Sequence, residues 1–181
     1  METTDLAYLA GLIDGDGSII AQFVPSGGRH DYKFKYQIRL TIQISQLKKR
    51  MWLLKQLQDM IGAGTIRVRS SNSRASRSET EDMADFILVG PPVESLLKQL
   101  QPYLKVKQKQ ANLVLKIAEQ LPTSRQSAEG LVKLGQLVER VAALNDSKNR
   151  KITLAVVAAT LGVAIIVDVP VETSDTVDTS E

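Results

Sequence analysis

The sequence predicts an α+β domain in which one antiparallel sheet packs its inner face on helices. Three observations predict it. Gln37 to Ser45 alternates without exception, apolar at every even position and polar at every odd one. That is the period of a strand with one buried and one wet face. Helical spacing brackets this run on both sides, and the chain as a whole reads helix, hairpin, helix, hairpin, then helices.

Element by element, Thr4 or Asp5 caps a first helix through Leu6, Ala7, Leu9, Ala10 and Ile13, which Gly15 and Gly17 break. Ser18 to Val24 is a strand closed by Pro25 and the Gly27-Gly28 loop, and Gln37 to Ser45 is the second. Lys48 to Ile61 has helical spacing in Met51, Leu54, Leu57 and Met60/Ile61, with Gly62 placed for a C-terminal cap. Thr65 to Arg69 alternates again with both arginines on one face, and Ala84 to Val89 is the fourth strand, stopped by Gly90-Pro91-Pro92. Between them residues 70–83 form a serine-rich charged loop. Helical patterns then cover Val93–Leu100, Lys107–Leu121 and Ala128–Leu144, divided by Pro102 and Pro122.

The 181 residues suit one domain, or one domain with an appendage, and 43% hydrophobic residues support a sizeable core. With no cysteine there is no disulfide framework, thiolate metal site or cysteine nucleophile. The single histidine, His30, stands in a polar loop, which removes multi-histidine zinc sites and disfavours a histidine-based triad. Residues 1–151 hold all 23 Lys and Arg against 15 Asp and Glu, a net +8; residues 152–181 hold five acids and no base, a net −5. A basic body points to a polyanionic partner, although ordinary proteins also reach this charge. The outer sheet face would carry Gln22, Gln37, Arg39, Gln43, Arg67, Arg69 and Asp85. A merely solvated face favours Lys, Glu and Thr, whereas Gln and Arg are the side chains that bond adenine and guanine edges in the major groove. On pattern alone both readings stand, a DNA-reading sheet and a solvated one. The N-terminus has neither the basic start and apolar run of a secretory signal nor the arginines of a transit peptide. The expectation is a protein that is not secreted.

Residues 9–17 read Leu-Ala-Gly-Leu-Ile-Asp-Gly-Asp-Gly, with two acids at the end of the first helix and directly before a strand. The run matches the LAGLIDADG motif at eight of nine positions, Gly15 replacing alanine. The chain therefore resembles the LAGLIDADG homing endonucleases, and its single motif copy resembles the homodimeric branch. Gly17 to Gln22, Lys33-Phe34-Lys35, Lys105 to Asn112 and Ala143 to Lys148 extend the likeness to the algal chloroplast intron-encoded members, from about residue 5 to 151.

That resemblance implies an αββαββα protomer with extra C-terminal helices, a saddle of strands on DNA, and a homodimer cutting both strands of a long pseudo-palindromic site. It implies an endonuclease domain over residues 1–151. Asp16 is then the essential ligand of Mg²⁺ and the Gly15 carbonyl an auxiliary one, while Ca²⁺ supports binding without cleavage. Asp16 from each protomer would meet at the dimer axis, where divalent cations relieve the repulsion; carboxylate oxygens suit a hard ion such as Mg²⁺. Small residues Ala7, Ala10 and Gly11 would let the two motif helices approach. Asp14 is read instead as hydrogen-bonded locally at the helix end. Gln46, directly after the second strand, matches the residue orienting solvent at the scissile phosphate, and Arg50 and Lys107 match the flanking basic pair. The DNA contacts implied are Gln22, Tyr32, Gln37, Arg39, Gln43, Arg67, Arg69, Asp85 and Ile87 on and beside the strands, with Ser147, Lys148 and Lys151 on phosphate. Intron RNA, bound as a maturase would bind it, is a further partner the family admits, and the alternatives to an endonuclease are such a maturase or a DNA-binding regulator with the same fold. An intron-encoded enzyme would work in a chloroplast or mitochondrion, and otherwise in the cytoplasm. Val24 departs from the polar residue of close relatives, and the loops Gly27–Asp31 and Ser70–Met83 are longer than in the compact algal enzymes.

Leu154 to Val167 is apolar on all sides. Its fourteen residues fall short of the ~20 that span a bilayer. Residues 152–171 are therefore expected to pack on the domain and not in a membrane, and 172–181 to form a disordered acidic tail.

Overall fold

The computed structural model describes residues 1–27, 33–69, 82–147 and 150–165. Helix α1 (Thr3–Asp16) is followed by β1 (Gly17–Pro25), β2 (Tyr36–Leu47), a 3₁₀ turn (Lys48–Arg50) and α2 (Met51–Ile61). Then come β3 (Thr65–Arg69), β4 (Met83–Val89), α3 (Pro91–Leu100), α4 (Gln108–Ser124), α5 (Ala128–Leu144) and α6 (Leu154–Leu161). The strands form one antiparallel sheet in the order β1-β2-β4-β3.

Alternation sorts the strands into two faces. Ile19, Ala21 and Phe23 of β1, Ile38, Leu40, Ile42 and Ile44 of β2, and Ala84, Phe86 and Leu88 of β4 are buried on the inner face. They join one core with Leu9 and Ile13 of α1, Leu54 and Leu57 of α2, Leu97 and Leu100 of α3, Val114 and Ile117 of α4, and Val138 of α5. All the helical cover therefore lies on one side. The register keeps the polar residues of neighbouring strands together on the other: Gln22 pairs with Arg39, Ser45 with Asp85, and Asp85 with Arg67.

Several boundaries differ from the sequence expectation, each for a local reason. Glu2, not Thr4 or Asp5, caps α1; Asp5 sits three residues on and its carboxylate accepts the Glu2 N–H at 3.2 Å. The helix runs through Gly15 to Asp16, and the chain turns only at Gly17, whose N–H still reaches the Ile13 carbonyl. β2 continues to Leu47, so Gln46 lies inside the strand. Lys48 to Arg50 form a 3₁₀ turn before the α-helical run begins. Pro91 and Pro92 open α3 instead of preceding it, since the first helical turn needs no N–H partners there. Pro122 lies within α4, but in its last turn it forfeits only its own bond, and the Arg125 N–H continues the ladder to Leu121 at 3.1 Å. Gly62 has φ 71° and closes α2 as expected.

Within the apolar C-terminal run, α6 buries Leu154, Val157 and Ala158 and ends at Gly162 in a left-handed cap. Leu154 reaches Gly135 of α5, where an added Cβ would stand 2.6 Å from Leu154 Cδ1 and from Phe23 Cζ. The expected acidic tail lies outside the described residues, and no described helix is long and apolar enough to cross a membrane.

Gly17 couples the end of α1 to the first strand by close approach. A Cβ there would sit 2.7 Å from Ile13 Cα and 2.9 Å from Ile13 O, both backbone atoms that cannot rotate away. Gly17→Ala is expected to destabilise the fold by about 1–3 kcal/mol, as overpacking does. Urea denaturation measures it; an unshifted midpoint would contradict the contact.

Candidate active site

The end of α1 and the end of β2 meet at the edge of the polar sheet face. Gln46 is buried, 6% exposed, and its amide is engaged at both ends. Its Nε2 donates to Asp16 Oδ2 at 2.6 Å, and its Oε1 accepts from Arg50 Nη1 at 3.3 Å. The side chains of Asp16, Gln46 and Arg50 thus form one hydrogen-bonded chain, carried by a helix terminus, a strand and the 3₁₀ turn. The neighbouring charge and the rigid strand fix the amide orientation. Asp16 itself is exposed, as is Gly15 beside it.

Lys107 meets the same helix end at Asp14. Its Nζ donates to the Asp14 carbonyl at 2.5 Å, while the Asp14 carboxylate accepts from Lys105 N at 2.7 Å and Lys107 N at 2.9 Å. Asp14 is therefore hydrogen-bonded at the helix end, but to a turn more than ninety residues away. Burial pushes its carboxyl up; the backbone N–H groups of Lys105, Lys107 and Val106, with the Lys107 charge, more than offset this and hold it below its ordinary value. The four expected catalytic residues are thus all at the α1 terminus, three in one chain and Lys107 through Asp14.

Among the described residues no group of three or more acids and histidines is poised to hold a metal. One protomer offers Asp16 and the neighbouring carbonyl oxygen, a hard-oxygen donor set of the right chemistry for Mg²⁺ that needs further oxygens to be complete.

The motif helix divides its own residues. Leu9, Ala10 and Ile13 face the core, and Ala10 is 0% exposed. This corrects the placement of Ala10 at a dimer surface: its methyl is consumed inside the protomer. Ala7 and Gly11, in contrast, are exposed, and a Cβ added at Gly11 or at Gly15 meets nothing within 4 Å. Tyr8 beside them is 54% exposed and Val106, next to Lys107, is 71% exposed; neither stood out in the sequence. An aromatic flanking small residues on a motif helix was the available signal.

On the sheet, Gln22, Arg39 and Arg67 are exposed and Gln37 and Ile87 half-buried, all on the outer face. Gln43, Ser45, Asp85 and Arg69 are not independent. Gln43 Nε2 donates to Ser45 Oγ at 3.3 Å, Ser45 Oγ donates to Asp85 Oδ1 at 2.6 Å, and the Arg69 guanidinium donates to both Asp85 oxygens, one at 2.8 Å. Asp85 is 2% exposed. Burial raises its pKa, yet the hydrogen bonds from Arg69 and Ser45 and the Arg69 charge dominate and hold it below the usual carboxylate range. Its carboxylate is thus engaged in aiming Arg69. Ser45 was legible as a wet-face residue but not as the link between strands, because that depends on the β2–β4 register.

Ser147 and Lys151 are exposed beyond α5, while Tyr32 and Lys148 lie outside the described residues. Glu139 organises this loop, accepting from Arg150 Nη2 and, through its other oxygen, from Leu154 N at 2.8 Å. Asn145 Nδ2 ties it to Ile19 O at 2.8 Å.

Known proteins resemble the chain over most of its length. Residues 9–88 match the family model described as LAGLIDADG endonuclease. The DNA endonuclease I-CreI of Chlamydomonas reinhardtii is 49% identical over 156 residues, 86% of this chain and 88% of that protein. The chain belongs to the LAGLIDADG homing endonucleases. A second family member, the DNA endonuclease I-CvuI of Chlorella vulgaris, is 36% identical over 147 residues, 81% of this chain and 83% of that one. The crystal structure of I-CvuI with its target in the presence of Ca superposes with a TM-score of 0.74 at 32% identity, covering 90% of this chain and 97% of that one. The archaeal intron-encoded I-Vdi141I, complexed with DNA, shares the fold at a TM-score of 0.70 and 17% identity, covering 90% and 97%. The αββαββα core expected from the motif is the family's fold, and the likeness to I-CvuI, over 90% of this chain, takes in helices that follow that core.

If Asp85 aims Arg69, Asp85→Asn should relax sequence preference at the base pairs under Arg69 by about 1–3 kcal/mol. Binding to single-substituted duplexes reads this directly. Equal weakening on every duplex would mark the pair as phosphate binders.

Proposed function

We infer that this chain is a site-specific DNA endonuclease that acts as a homodimer on a long pseudo-palindromic duplex and depends on Mg²⁺. The observation that carries the reading is the chain Asp16–Gln46–Arg50 at one end of a polar, Arg- and Gln-bearing sheet face that the described helices leave bare. Twelve-residue β2 spans about 36 Å at ~3.3 Å per residue, roughly one turn of B-DNA. Each protomer would then read about ten base pairs, and a two-fold pair about twenty, with the site's symmetry following the protein's.

Hydrolysis adds water across a phosphodiester bond, and the chain's residues divide that work. Gln46 presents a fixed amide dipole to the attacking solvent. Arg50 and Lys107 place positive charge where the phosphate gains negative charge, an effect strengthened away from bulk water. Asp16 and the Gly15 carbonyl are the oxygen donors for Mg²⁺, which when bound would polarise the phosphate and lower the pKa of water. The near absence of histidine fits a site that uses no imidazole base. Binding in Ca²⁺ without cleavage is part of the same proposal. An intron-encoded protein of this type would serve intron homing in the organelle that houses its intron.

Dimerisation would use the exposed stripe of α1, where Ala7 and Gly11 leave room for a second backbone and Tyr8 and Val106 supply apolar rim. Gly11→Glu is expected to convert the dimer to monomer by sedimentation velocity while leaving the circular dichroism spectrum intact. An unchanged sedimentation coefficient would move the interface elsewhere.

Selection from a randomised duplex library in Mg²⁺ and in Ca²⁺ tests the function. I-CvuI has been seen with the I-CreI target uncleaved in 2 mM Mg, so the assay must find this chain's own site. Cleavage in Mg²⁺ and binding alone in Ca²⁺ are expected, with Asp16→Asn at least ~1,000-fold slower in cleavage yet still binding, of the order that losing a transition-state electrostatic contact costs. Cleavage retained in Asp16→Asn would overturn the ligand assignment. Specific binding with no cleavage in either metal would overturn the endonuclease reading and turn the assay to intron RNA.

A further inference from the structure

The motif carries two carboxylates, and the reading above uses only one. Asp14 points to the turn between α3 and α4, where its two oxygens take the N–H groups of Lys105 and Lys107 at 2.7 and 2.9 Å. Lys107 is the N-cap residue of α4 and its side chain makes no capping bond there. The carboxylate of another helix therefore supplies the acceptor that this helix entrance lacks, and it lies where the helix N-terminus favours negative charge. The Lys107 ammonium meanwhile returns to the Asp14 carbonyl at 2.5 Å. Backbone N–H and side-chain ammonium of one lysine are thus bonded to the carboxylate and carbonyl of one aspartate. That closes a ring, which restricts a side chain of four rotatable carbons to one placement.

We propose that Asp14 is a positioning residue for DNA cleavage: it fixes the Lys105–Lys107 backbone so that the Lys107 ammonium stays at the α1 terminus beside Gly15 and Asp16. This rests on the endonuclease reading of the site. Val106 between the two anchored residues is 71% exposed, so burial of its side chain does not hold the turn. Without the carboxylate, the ammonium–carbonyl bond alone would hold the Lys107 side chain, while its backbone would stay tied to α4 through the Ala111 N–H at 3.0 Å. Asp14→Asn keeps a single acceptor oxygen and removes the charge, while Asp16, Gln46 and Arg50 are untouched.

The test is a double-mutant cycle on the chain's selected duplex, reading single-turnover cleavage in Mg²⁺ and equilibrium binding in Ca²⁺. Asp14→Asn is expected to slow cleavage at least tenfold while changing the binding constant less than about threefold. In a Lys107→Ala background the same substitution should slow cleavage less than about twofold, because its route is already removed. Asp14→Glu, which retains the charge, should recover part of the rate, and it replaces Asp14→Asn in the cycle if the latter fails to fold by circular dichroism. Equal slowing in both backgrounds, or a loss confined to melting temperature, would overturn the positioning role alone. A wild-type chain that cleaves no duplex would overturn both this role and the reading it rests on.

Discussion

A four-stranded antiparallel sheet with one apolar face needs cover on that face only, and this requirement arranges the molecule. Ten inner-face residues of β1, β2 and β4 join the helices in one core, so the helices collect on one side. Among the described residues the opposite face is left without a protein partner, and its backbone bonds run within the sheet. It is free to be polar. The same segregation brings the α1 terminus to the end of β2, because α1 must lie on the inner face and lead directly into β1. Gly17 makes that passage possible by letting the chain turn against the Ile13 backbone with no atom to spare.

Charge on the open face is managed and not simply displayed. Arg69 is held by a nearly buried carboxylate that also takes the Ser45 hydroxyl, and Gln43 completes the series across β2, β3 and β4. Holding a flexible guanidinium before a ligand arrives reduces the ordering cost of binding. The same device recurs at the α1 terminus, where Gln46 is locked between Asp16 and Arg50, and beyond α5, where Glu139 takes Arg150 and the entrance of α6. In each case a polar side chain is oriented by a second side chain from another element. Such support is how sites hold geometry on a scaffold.

The motif helix shows how two demands share one element. Its i, i+3, i+4 spacing sends Leu9, Ala10 and Ile13 inward and leaves Ala7 and Gly11 outward. Smallness serves different ends on the two sides: Ala10 allows close packing of the helix on its own sheet, and Gly11 leaves an open surface. Residue type alone does not distinguish them.

Local periodicity determined most of the architecture. The perfect alternation of Gln37 to Ser45, the helical spacing of Leu54 and Leu57, and the Gly62 cap are short-range patterns, and each element formed where its pattern lay. The motif pointed to Asp16, since its nine residues fill about the last two turns of α1 and the first position of β1. Element ends were less legible, as at Pro122, because whether a proline stops a helix depends on which ladder bonds remain. Tertiary structure alone decided which side of the motif helix is buried, that Asp14 answers to Lys105 and Lys107, and that Asp85 is committed to Arg69 and Ser45. Those pairings join residues from 16 to more than ninety positions apart. Their partners are set by strand register and helix docking, which arise from burying the whole core at once and leave no trace in any local window of sequence.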